Sequence, residues 1–168
     1  MYSALEIAQY LLNKDPNRVY FNNDKYISNG TTENPFLEGS ARLNKLLHMA
    51  QNCYIAKNGN KLFRDDLMAF ANGAVANEVR LNYAVLTSAT EHKVNLDDEV
   101  KDFLDRIFYM FRNATIEEMI DISHEDAEWE EKNKLENQKM DSLSRVNEYK
   151  EQYRDALKVM YRLDKAVL

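Results

Sequence analysis

Residues 42–54 read Arg42-Leu43-Asn44-Lys45-Leu46-Leu47-His48-Met49-Ala50-Gln51-Asn52-Cys53-Tyr54, and this stretch decides the fold. Leu43, Leu46, Leu47, Ala50, Cys53 and Tyr54 recur at steps of three and four, the period of a helix with one apolar face. Asn44, Lys45, Gln51 and Asn52 are expected on its other faces. His48 sits on the mainly apolar stretch, where a satisfied structural histidine is the expectation. Ser40 is placed to cap the start, and Lys57-Asn58-Gly59 supplies a basic last turn and a glycine stop.

The flanking sequence extends this pattern. Tyr2 to Asn13 carries Leu5, Ala8, Leu11 and Leu12 on one stripe, with Ser3 and Glu6 spaced as a cap and Asp15-Pro16-Asn17 as a stop. From Asn17 to Ser40 the character changes. Arg18 to Phe21 and Lys25 to Ser28 flank Asn22-Asn23-Asp24 as a small hairpin, and Asn29-Gly30-Thr31-Thr32 and Asn34-Pro35 are turn chemistry. Ala71-Asn72-Gly73 predicts a turn, with Gly73 at a positive φ or a close backbone approach. Helices are expected over Ala76–Leu86, with Val79, Tyr83 and Leu86 inward, and over Leu96–Arg112, capped by Asn95. Thr115 to Glu118 is a capping box that opens a short helix to Ile122.

Residues 130–168 read as one long, highly charged helix whose apolar stripe is Leu143, Val146, Tyr149, Tyr153, Leu157, Met160 and Tyr161. The sequence therefore predicts a mainly α fold. Residues 1–129 form a compact multi-helix domain with minor β elements, and residues 130–168 form a long C-terminal helical extension. A helix of that length spans about 57 Å, whereas a domain of this size is only about 30–35 Å across. Its stripe must fold back, pair with a second copy or meet another protein. Alternatively the chain breaks near Asn137 to Asp141 and two helices pack intramolecularly.

The 168 residues suit one domain with its own core, and the 45% hydrophobic content argues against disorder. A net charge of −6 and the lack of a linear Lys/Arg cluster disfavour nucleic acid as a partner. Cys53 is the sole cysteine, which excludes an intrachain disulfide and a thiolate-rich zinc site. Its place on an apolar helix face reads as a buried structural thiol. Neither a basic, apolar leader nor a membrane-length run occurs, so a cytoplasmic protein is expected.

Catalytic constellations are missing. The sequence holds no phosphate-cradling glycine loop, dinucleotide fingerprint, G-x-S-x-G elbow or H-E-x-x-H helix. His48, His92 and His124 have no partner at ligand spacing, and His124-Glu125-Asp126 does not put all three groups on one helix face. Asp65-Asp66 and Asp97-Asp98-Glu99 read as helix starts. The expectation is a protein that binds another protein, with no catalytic residue, metal or cofactor.

Three segments together resemble the Panacea, or SocA-like, domain family. Arg42 to Gln51 looks like that family's L-x-K-L-L-aromatic helix. Gly59-Asn60-Lys61-Leu62-Phe63, continuing to Ala69-Phe70 and Gly73-Ala74-Val75, is similar to its "G-x-P-L-F … A … G-P-V" stretch. Ser123-His124-Glu125-Asp126-Ala127-Glu128-Trp129 resembles its "T-H-x-x-x-P-W" signature. The likeness runs from about Met1 to Trp129. Lys61, Ala74 and Glu128 stand where the family has proline, and Ser123 where it has threonine, which marks a divergent branch.

The resemblance implies an antitoxin, of a kind widespread in bacteria and phages, that neutralises a small toxin by direct binding or delivers it to a protease. The motif positions Lys45, Leu46, Leu47, Leu62, Phe63, Gly73, Val75, His124 and Trp129 are read as structural. Tyr149, Tyr153, Leu157, Met160 and Tyr161 on the C-terminal helix are the candidate partner-binding residues. The alternative is a self-associating structural or regulatory phage protein with no toxin, its C-terminal helix forming a homodimer seam.

Overall fold

The helix announced by residues 42–54 runs from Glu38 to Asn58 and forms the axis of the molecule. The structure, a computed structural model, describes residues 1–27, 36–88 and 92–168. In chain order the helices are α1 (Ala4–Asn13), α2 (Glu38–Asn58), α3 (Asn77–Ser88), α4 (Asp98–Phe111), α5 (Ile116–His124), α6 (Ala127–Lys132), α7 (Val146–Gln152) and α8 (Arg154–Arg162). Two small antiparallel pairs accompany them, β1 (Tyr26–Ile27) with β2 (Phe36–Leu37) and β3 (Met68–Phe70) with β4 (Gly73–Val75). The protein is mainly α, as the sequence predicts. Among the described residues, no helix is long and apolar enough to cross a membrane.

Helix α2 touches α1, α3, α4, α5, α7 and α8, so it has no solvent face along most of its length. Gly59 ends it in the left-handed conformation, at φ 72°, and its N–H returns to the Ile55 carbonyl. Its start differs from expectation. The helix opens at Glu38 behind Leu37, and Ser40 lies inside it, accepting from the Asn44 amide at its backbone carbonyl. The Ser3 cap on α1 and the Thr115–Glu118 capping box on α5 form as read. Helix α4 begins two residues later than Asn95 suggests, behind Asp97.

The β elements pair otherwise than predicted. Tyr26–Ile27 meets Phe36–Leu37, not Arg18–Phe21, because the Asp15 carboxylate takes the N–H groups of Val19, Tyr20 and Phe21 and holds that stretch as a turn. The expected turns at Asn29–Thr32 and Asn34–Pro35 lie outside the described residues. Asp65 caps a helix from a distance, accepting from Ala4 N at the start of α1, while Asp66 pairs with Lys61 and Lys139.

The long C-terminal helix is not formed. After α6 the chain leaves the helical path: Asn133 turns its amide back to the Trp129 and Glu130 carbonyls, and Asn137 accepts from Lys139 N. Asparagines that bond nearby backbone in this way compete with helix continuation. Residues 138–140 then run along β3, with Ala69 N donating to Gln138 O and Met140 N to Leu67 O, each at 2.8 Å. A 3-10 turn (Ser142–Arg145) leads into α7 and α8, which fold back over α2 and α4. Of the alternatives left open by the sequence, a break with intramolecular packing is the one taken.

Candidate functional site

Helix α2 carries a polar row inside the core. Asn44, Lys45, His48, Gln51 and Asn52 are all buried, and between them they reach four separate parts of the chain. Asn44 accepts from Ala76 N at the start of α3, 3.0 Å away. Gln51 accepts from the N–H groups of Leu62 and Phe63 and donates to the Phe63 carbonyl, so one amide clamps both faces of that dipeptide. Lys45 donates to the Asn72 carbonyl in the β3–β4 turn. Buried polar groups need such partners, and each bond here fixes one loop to the axis.

His48 and Asn52, one turn apart, both bond Asp126 in the corner between α5 and α6. His48 Nε2 lies 2.6 Å and Asn52 Nδ2 2.9 Å from Asp126 Oδ2. Tyr149 from α7 donates its hydroxyl to the same carboxylate, and Glu128 N donates to Asp126 Oδ1. Although burial opposes ionisation, the donors from His48, Asn52 and Tyr149 hold the Asp126 carboxyl below the ordinary carboxylate range. Among the described residues, His48 Nδ1 and Asn52 Oδ1 find no partner. The acid in His124-Glu125-Asp126 therefore serves His48, not His124.

Around the β3–β4 turn four motif residues come together. Gly73 has φ 121°, and a Cβ there would lie 2.0 Å from Lys45 Nζ and 2.9 Å from Ser123 Oγ, so both reasons for glycine apply. The rings of His124 and Trp129 stack with centroids 4.1 Å apart, and Trp129 Nε1 donates to the Phe70 carbonyl at 2.8 Å. Burial, followed by the Lys45 charge, pushes the His124 imidazole below its usual value. Leu46, Leu47, Leu62, Phe63 and Val75 are buried in the core. This cluster joins hairpin, axis and corner.

Among the described residues Lys45 has no carboxylate partner, and desolvation pulls its ammonium down to about 8. The unfolded chain holds that proton up to about 10.5 and the folded one only to about 8, so stability rises with pH between these values. The gain is on the order of 3 kcal/mol. Lys45→Met is expected to abolish this rise while melting no lower than the parent at pH 7. The check is the difference between the two proteins' urea midpoints from pH 7 to 10, in which the unfolded-state titration of Cys53 and the tyrosines, common to both, cancels. A rise that persists in the methionine variant would show that Lys45 is not its source.

The C-terminal residues are placed otherwise than a docking stripe requires. Tyr149, Tyr153 and Met160 are at most 3% exposed, and Leu157 is partly buried against the core. Tyr161 keeps a free edge, with the Lys57 ammonium and the Arg106 guanidinium over its ring. Arg106, itself buried, caps α8 through the Met160 and Leu163 carbonyls. The stripe folds inward because α2 and α4 leave an apolar face uncovered until α7 and α8 close it.

The sequence model described as "Antitoxin SocA-like, Panacea domain" matches residues 43–130. That is just over half of the chain. The protein belongs to the SocA-like Panacea family. The match begins on α2 and ends one residue past Trp129, so it contains the polar row, the dipeptide clamped by Gln51, the β3–β4 turn and the Asp126 corner. No curated protein and no solved structure matches the chain.

In this chain each later segment supplies a hydrogen-bond partner to a residue on α2: Leu62 and Phe63 to Gln51, Asn72 to Lys45, and Asp126 to His48. Two departures from the family pattern have local roles. Glu128, in place of proline, accepts from Asp141 N and pairs with Arg145, clasping the turn that leads into α7. Ser123, in place of threonine, donates to Ile120 O inside α5. Cys53 is buried in the core, where burial pushes its thiol far above the ordinary range, as a structural cysteine would be. The residues that sequence reasoning missed, Asn44, Gln51, Asn52 and Asp126, had one signal: Asn44, His48 and Asn52 repeat every four positions along α2.

Proposed function

We propose that this Panacea protein is a cytoplasmic antitoxin that neutralises a partner toxin by direct protein–protein binding, acting as a binding protein and not as an enzyme. The observation that carries this reading is the family match across residues 43–130, which supports an antitoxin-type role. The architecture is in keeping with it: the polar residues that the motif supplies are spent on internal hydrogen bonds, leaving recognition to the surface. Delivery of the bound toxin to a protease is the extension of this reading.

The test is co-expression with each small protein encoded beside this gene. Growth arrest by a neighbour, relieved by this chain and accompanied by a co-purifying complex, is the expected outcome. Repeating the rescue in a protease-deficient host separates binding from delivery. Absence of a toxic neighbour, or rescue without a complex, would overturn the proposal.

A further inference from the structure

Although the chain carries a net charge of −6, its fold gathers cations around two adjoining clefts. The larger, about 550 Å³, lies between the loop after α1, the start of α2 and the α4–α5 connection, with Lys14, Lys25, Arg42 and Arg112 in its wall. The smaller, about 410 Å³, shares Lys14 and adds Lys93 and Lys101. Both fall in the range of ligand-binding clefts, and together they form one basic path. Among the described residues no carboxylate lines the smaller cleft.

The acids of the larger cleft are already engaged. Asp15 is buried and turned onto the backbone N–H groups of Val19, Tyr20 and Phe21, and Glu38 pairs with Arg42. Asp105 pairs with Lys14 at 2.6 Å and accepts from the Tyr10 hydroxyl, so it too is engaged. Lys25 and Arg112 are exposed, and among the described residues neither has a carboxylate within 4.0 Å. Arg112 lies over the Tyr109 ring, 4.2 Å from its centroid, which keeps its charge in place.

The walls are rigid and partly apolar. The Tyr20 hydroxyl donates to the Phe111 carbonyl, its ring packs edge-on against Phe108, and the Arg42 guanidinium covers it at 4.9 Å while donating to Ala114 O. Val19 stands 78% exposed beside them, an aliphatic contact without a partner. Arg18, a non-glycine residue in the left-handed region at φ 52°, makes the turn that presents Val19.

We infer that these two clefts bind an extended acidic segment of a partner protein. Its carboxylates meet Lys25, Arg112, Lys93 and Lys101, and an aliphatic side chain rests on Val19 and Tyr20. A pre-set, cationic track with an apolar contact suits a peptide that alternates acidic and aliphatic residues, and it steers such a partner toward an otherwise acidic protein. This surface deepens the antitoxin reading but is tested without a toxin.

The probe is a fluorescein-labelled peptide of alternating Glu and Leu, compared with its Lys–Leu counterpart by fluorescence anisotropy at about 50 and about 300 mM salt. The full-length protein is expected to bind the acidic peptide alone, and more weakly at high salt. Lys25→Glu with Arg112→Glu, and separately Lys93→Glu with Lys101→Glu, should each weaken binding at least tenfold without changing Tm. The control pair Lys150→Glu with Lys158→Glu, on α7 and α8, should leave it unchanged.

No binding, or equal loss in the control pair, would overturn the inference. Displacement by inorganic phosphate or oligouridylate at matched charge would also overturn it, reassigning the clefts to phosphate. If toxin rescue succeeds while the peptide fails, the antitoxin reading stands and the clefts do not. The reverse result separates them the other way.

Discussion

A chain ending at Met140 is expected to lose its cooperative unfolding transition. The removed segment contributes Tyr149, Tyr153 and Met160, all buried against α2 and α4. Truncating a buried aromatic or methionine side chain costs about 3 kcal/mol each. Three such losses amount to about 9 kcal/mol, against the 5–15 kcal/mol that a whole domain possesses. The cut also strips the Tyr149 donor from the buried Asp126 carboxylate and frees Glu128 from Asp141 and Arg145. Thermal melting by circular dichroism checks this. A sharp transition within a few degrees of the full chain's would show that residues 141–168 are an accessory to the fold. Because the family match stops at residue 130, that result would also return α7 and α8 to the role of a separable docking arm.

Asp126→Asn is expected to destabilise the protein by about 3–5 kcal/mol, the range for removing one partner from a buried charged network. The carboxylate accepts from His48, Asn52, Tyr149 and Glu128 N, and an amide turns a donor toward at least one of them. Tyr149→Phe removes a single donor and should cost about 2 kcal/mol, as for one hydrogen bond to a charged group. The pH dependence follows from the same contacts. The folded pKa of Asp126 is depressed, so its contribution is complete above the unfolded value of about 3.9 and is lost as pH falls through the folded value. The parent should therefore lose stability steeply below about pH 4, and the Asn variant, already weaker, should show a shallower acid limb. Denaturant midpoints from pH 3 to 7 for both proteins are the measurement. Equal acid slopes would remove Asp126 from the account.

Local signals were legible where the chemistry is local. The glycine stop at Gly59, the Ser3 cap, the Thr115 capping box and the α2 period all depend on residues within four positions of one another. Gly73 was legible as a special position, but its reason, the Lys45 ammonium against its Cα, required two distant segments to meet. Residues 130–168 left two readings open for a related cause. A charged stretch with an apolar stripe is compatible with one long helix or with a break near Asn137, and the local bonds of Asn133 and Asn137, the β3 edge that takes up residues 138–140 and the open face of α2 and α4 together select the break.

By itself the sequence determined the helical class, the axis at Leu43 to Tyr54, the structural cysteine and the family, because periodicity, caps and motif order are properties of neighbours along the chain. Tertiary structure alone decided which polar residues pair, Asp126 with His48 over 78 positions among them. It also decided that Tyr149 and Tyr153 turn inward, and that cations from residues 14, 25, 42 and 112 share one cleft. The physical reason is common to all three. Burial and charge balance are set by what packs against a residue in space, and a helix that is surrounded on every side must satisfy its polar groups with whatever chain the fold brings to them.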